Sequence, residues 1–106
     1  MAWLYLIIAG IFEIGWPLGL KLSQVTEKKI LWIAVAVISM SFSGLFLWLA
    51  QKTIPMGTAY AVWTGIGAVG AFVVGILMLK DAATFFRIIS VTFIVIGIVG
   101  LKLSHQ

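Results

Sequence analysis

The sequence predicts an all-α membrane protein, a bundle of four transmembrane helices, and three observations carry that prediction. Of 106 residues, 63% are hydrophobic and 9% charged, and the mean hydropathy of +1.23 is far above what the surface of so small a water-soluble domain tolerates. The apolar residues fall into four runs, 3–22, 30–50, 56–79 and 85–103, each near the roughly 20 helical residues that cross a hydrocarbon core of about 30 Å. The runs are continuous rather than alternating with a period of two, which argues against a transmembrane barrel. Polar breaks at 23–29, 51–55 and 80–84 are short enough to make sequential helices antiparallel. The whole chain, 1–106, reads as a single integral membrane domain.

The first run is no secretory signal. It lacks a basic n-region, carries Glu13 inside the would-be apolar segment and leads directly into a second span. About ten residues separate Trp3 from Glu13, which at about 1.5 Å per residue puts the carboxylate about 15 Å below the interface, near the bilayer midplane. An acid there costs about 2.5 to 3.5 kcal/mol on insertion scales and marks a proton relay or ion pathway. The bland alternative is a carboxyl that only ties helices together. In a low-dielectric pocket the group holds either a proton or a positively charged ligand and hardly both, which is the chemistry of an antiporter. Trp16, three residues on, shares a helical flank with Glu13, and Pro17, four residues on, has no N–H for the Glu13 carbonyl.

The second run brings Ser39, Ser41 and Ser43 into an apolar helix, where serine usually bonds back to its own carbonyls. The third opens "MGTAYAVWTGIGAVG", with Tyr60 and Trp63 on one face and Trp63 about 10 Å inside the membrane by helical rise. Gly65, Gly67 and Gly70 spell G-x-G-x-x-G, but no strand precedes them and the segment is itself a span, so the dinucleotide reading fails. Small residues here mean close helix approach, a flexible point, or both. In the fourth run Ser90 and Gly97 are stacked seven residues apart on a small-residue stripe suited to assembly. His105 is a lone imidazole in the tail.

The charges read as loop markers. The net charge of +4 comes from basic residues scattered between apolar runs, with no stripe for nucleic acid. Glu27 and Asp81 fall in breaks beside Lys28 and Lys80. If the N-terminus defines side A, then Lys21, Lys28, Lys29, Lys80 and Arg87 lie on side B against Lys52 and Lys102 on side A, a modest bias that does not select one topology. There is no cysteine, so thiol chemistry and cysteine-ligated metals are excluded. No nucleophile and base pair, metal cluster or phosphate loop is recognisable, and neither enzyme activity nor a cofactor is expected. Four short helices offer little wall around a ligand cavity that opens to each side in turn; a dimer offers eight, with two copies of Glu13 facing one cavity.

"AGIFEIGWPLGLK" around Glu13, "IPMGTAYAVWTGIGAVGA" and the closing "IGIVGLKLS" resemble the small multidrug resistance family over essentially the whole chain. Trp16, the "WTGIGAVG" segment and Lys102 in "GLK" resemble its guanidinium exporter subtype. The resemblance implies an inner-membrane, proton-coupled exporter working as an antiparallel homodimer, with Glu13 taking substrate and proton in turn. It further implies that Ser43 and Trp16 hydrogen-bond Glu13, that Tyr60 and Trp63 line or gate the pocket, and that the fourth helices dimerise. Ser90 stands where many family members carry glycine, and Pro17 matches no family role. Guanidinium also suits these residues chemically: its paired N–H groups match a carboxylate, and its faces stack on aromatic rings. A quaternary ammonium ion, relying on aromatic faces and apolar area, is the alternative substrate. A non-transporting assembly protein or proton-ring subunit is the alternative from another class.

Overall fold

A computed structural model describes residues 1–104, so His105 lies outside the described residues. The chain forms four α-helices in succession: α1 Ala2–Val25, α2 Lys29–Ala50, α3 Met56–Leu79 and α4 Phe85–Ser104. All four are long and apolar enough to cross a membrane. Helix α1 continues three residues beyond the expected Leu22, because the Ser23 hydroxyl bonds back to the Leu20 carbonyl at 2.6 Å instead of breaking the helix. It ends where Thr26 turns extended, its N–H and its hydroxyl both closing on the Leu22 carbonyl. Pro55 caps the start of α3, where its missing N–H costs the helix no hydrogen bond. Lys80 ends that helix in the left-handed conformation, φ 60°, and the Asp81 N–H reaches back to the Gly75 carbonyl at 3.0 Å, satisfying an acceptor the helix end would otherwise leave open. The Thr84 hydroxyl accepts the Arg87 N–H at 3.4 Å and caps α4.

Helices α1, α2 and α3 form the packed part of the molecule. Because lipid is as apolar as leucine, close backbone approach and polar contacts must hold helices together in a membrane. That is how α1 meets its neighbours. A Cβ on Gly19 would come within 2.9 Å of the Trp32 carbonyl on α2, and one on Gly10 within 2.6 Å of Ile66 on α3. Toward side A, Leu6, Ala50, Ile54, Ala59 and Val62 make a small buried cluster. Helix α4 differs. Its backbone approaches α3 alone, and none of its residues is buried. Large apolar side chains such as Phe86 (83% exposed) and Phe93 (69% exposed) stand on the outside, as a hydrocarbon solvent requires. The molecule is a slab, 47 × 34 Å across and 17 Å thick.

Candidate functional site

Ser43 is the centre of the polar site. It is fully buried where α2 crosses α1, and its Oγ lies 2.7 Å from the Ala9 carbonyl and 3.3 Å from Glu13 Oε1. From α3, the Trp63 indole N–H donates to the same Oγ at 2.7 Å. Three helices therefore converge on one hydroxyl in mid-span. Glu13 itself is partly buried, and its side chain lies against the α3 backbone at Gly67, where an added Cβ would come within 2.5 Å of Glu13 Cγ. A Cβ at Gly70 would meet Ile14 in the same way, whereas one at Gly65 would come within 2.7 Å of Ile98 on α4. The three glycines thus serve close approach on two sides of α3, with no positive φ among them.

The donor count has a chemical consequence. A serine hydroxyl gives one proton and offers two lone pairs, and Trp63 occupies one of those pairs. The proton goes to Ala9 or to Glu13, not to both. When it stays on the closer Ala9 carbonyl, the second lone pair is free to accept from a protonated Glu13. When Glu13 is ionised, the hydroxyl can turn to donate to it in a charge-assisted bond. Ser43 can therefore serve both protonation states of the carboxyl without any helix moving. Among the described residues no cation forms an ion pair with Glu13; Glu27 and Asp81 are exposed at the other end of the molecule, in the breaks where the sequence puts them.

The remaining expected residues fall around this centre unevenly. Tyr60 is 56% exposed and its ring lies 5.4 Å from that of Trp63, tilted by 57°. Trp16 is partly buried, but no hydrogen bond joins it to Glu13 within the chain, so the bond implied for it is not made here. Pro17 lines a different cavity of about 140 Å³, beside Lys21, Gly75 and Asp81. Ser41 bonds back to Val37, and Ser90 to Phe86, both exposed. Gly97 is exposed, and a Cβ added to it would meet nothing within 4 Å.

Sequence reasoning missed two parts of the neighbourhood. The Ala9 carbonyl is a backbone group that any residue would supply. Phe12 stacks on Phe42 at 5.3 Å and lies parallel to Phe46 at 6.1 Å, joining α1 to α2 through an aromatic stack at the residue before Glu13. The spacing of Phe42 and Phe46, four residues apart on one face of α2, was the available signal.

Comparison with known proteins gives this arrangement a family. A family model described as Small Multidrug Resistance protein matches residues 1–94. The chain is 51% identical to a protein named guanidinium exporter from Salmonella typhimurium strain LT2, over 98% of both chains. It is 46% identical to one from Escherichia coli K12 and 47% to one from Citrobacter freundii, with the same coverage. Those relatives are named as exporters rather than enzymes. With a match of this extent joined to four membrane-spanning helices, the chain belongs to the small multidrug resistance family of membrane transporters.

Proposed function

We propose that the protein is a proton-coupled antiporter that exports guanidinium across the inner membrane by alternating access, with proton and substrate competing for Glu13. The observation that carries this reading is the Glu13–Ser43–Trp63 hydrogen-bonded chain in mid-membrane, in relatives' company whose names specify guanidinium export. An ionised Glu13 accepts the paired N–H groups of a guanidinium, while Ser43 turns its proton toward the carboxylate. The aromatic faces of Trp63, Tyr60 and Trp16 suit the planar cation. On the far side of the membrane a proton displaces the substrate, and Ser43 returns its own proton to Ala9. The absence of an internal cation partner among the described residues leaves the carboxylate to these two ligands.

The working unit in this reading is an antiparallel homodimer. A slab 17 Å thick is little deeper than one helix of about 10–12 Å diameter, and its central carboxyl needs a second wall. The open space over Gly97, on the stripe shared with Ser90, suits the approach of a partner α4. Gly65, Gly67 and Gly70 provide the seams along which α3 shifts between the two access states.

The test is flux in vesicles containing only the purified protein. An imposed guanidinium gradient should move protons the opposite way; guanidinium flux without proton movement would overturn the coupling. The half-exposed Tyr60 ring favours one second reading, export of lipophilic quaternary ammonium ions. A binding competition decides between them, and tighter binding of a tetraalkylammonium than of guanidinium would replace the first substrate with the second.

A further inference from the structure

We propose that the cleft between α1, α3 and α4 is a binding site for an anionic phospholipid, one acyl chain lying in the cleft and the phosphate resting on Lys102. Two cavities of about 310 and 220 Å³ run along this cleft and share Ile66, Ile98 and Val99. Together they form one continuous aliphatic groove from mid-span to the side A surface. Each helix contributes one stripe to it: Trp3, Ile7 and Ile14 from α1, Val62, Ile66 and Val69 from α3, and Val95, Ile98, Val99 and Lys102 from α4. The groove exists because the α4 backbone approaches α3 but not α1, so aliphatic side chains face one another across a gap. In a bilayer such a gap attracts hydrocarbon, since water finds no polar partners there.

The surface end of the groove specifies the headgroup. The Lys102 ammonium lies 4.8 Å from the centre of the Trp3 ring, which fixes the charge at the depth of the interface. Lys52 lies 4.7 Å from the Trp48 ring at the same end. Among the described residues no acidic side chain is there to balance them: Glu13 is in mid-span, and Glu27 and Asp81 lie at the opposite end. A basic pocket between transmembrane helices is a recognised phosphate site. A second copy of the chain is a poorer occupant. A helix about 10–12 Å across does not fit a groove of this size, and the Ser90 and Gly97 stripe points away from it on the opposite face of α4. The proposal does not depend on the transport reading.

Its test is lipid retention by the purified full-length protein, measured by native mass spectrometry after exchange into mixed phosphatidylglycerol and phosphatidylcholine. The expected result is a preference for phosphatidylglycerol of about fivefold for a single lysine contact, lost in Lys102→Gln. Ile98→Trp, which fills the groove, should reduce retention of both lipids. Equal retention of the two headgroups by the natural protein, or an undiminished preference in Lys102→Gln, would overturn the proposal. A photoreactive acyl chain should label the Ile98 and Val99 region, and this readout needs no variant to fold. Labelling confined to α2, or disulfide pairing of Val99→Cys between two copies in the bilayer, would equally overturn it.

Discussion

Helices α1 and α4 face the same solvent with opposite strategies. Helix α1 touches α2 and α3 through glycines at 10 and 19, and its acid is tied to both neighbours by way of Ser43. Helix α4 has no buried residue and approaches only α3. Both are apolar and both carry small residues; what differs is that the glycines and polar groups of α1 meet other helices of the chain, while Gly97 and Gly100 of α4 meet nothing within 4 Å, and such contacts are the means by which helices associate in lipid. The packed three-helix part holds the Glu13–Ser43–Trp63 hydrogen-bonded cluster, and α4 is left with its surface available to lipid or to another copy.

The sharpest way to break that contrast is to remove the acid. Glu13→Gln keeps the shape and a hydrogen-bonding group but no exchangeable charge, so proton-coupled guanidinium flux should fall by about a hundredfold or more, about 2.7 kcal/mol, with the fold intact by circular dichroism. Gly67→Ala comes next. Its new Cβ lands 2.5 Å from Glu13 Cγ, so the carboxyl must swing away from Ser43 or α3 must retreat, at about 1–3 kcal/mol. Guanidinium affinity, measured by calorimetry, should fall about tenfold or more.

Acidity acts on the same group. If one proton and one guanidinium exclude each other at Glu13, lowering the pH can only weaken guanidinium binding. The sign is fixed by competition: once the carboxyl is mostly protonated, each further unit of acid raises the apparent Kd about tenfold. Affinity that stays level across the titration, or rises with acid, would show the two ligands at different places. Gly97→Ala should do none of this. Its Cβ enters open space, so guanidinium binding by the assembled dimer should change less than about twofold while dimer affinity in bilayers weakens several-fold, read by subunit-exchange fluorescence.

The four spans were legible because a bilayer demands continuous apolar runs, and Glu13 stood out because no other acid lies inside one. The end of α1 was not legible: Ser23 reads as a break, yet in a helix its hydroxyl can satisfy itself on the preceding turn. The serines of α2 show how far spacing reaches. Ser39 and Ser43 share a face and Ser41 lies on the other, so periodicity leaves two candidates, and only the crossing of α1 places Ser43 against Ala9 and Glu13. Trp16 shares a flank with Glu13 in the sequence, but no bond joins them in the folded chain, since neighbouring positions on a helix do not by themselves aim an indole N–H at a carboxylate.

Among the changes inside the polar site the smallest effect is expected from Trp63→Phe, and it separates the two contributions of that residue. The phenyl ring retains an aromatic face beside Tyr60 but has no N–H for the Ser43 oxygen, now served at 2.7 Å. Ser43 then has both lone pairs free, and its proton is less firmly held toward Ala9. One neutral hydrogen bond contributes about 0.5–1.5 kcal/mol, so guanidinium affinity should fall about two- to tenfold. Because the N–H organises Ser43 for either state of Glu13, the loss should be similar for proton and for guanidinium, leaving the steepness of the pH dependence unchanged. If instead the variant binds guanidinium normally but Trp63→Leu does not, the ring face rather than the hydrogen bond is what Trp63 supplies, and the polar chain from α3 to Glu13 is structural.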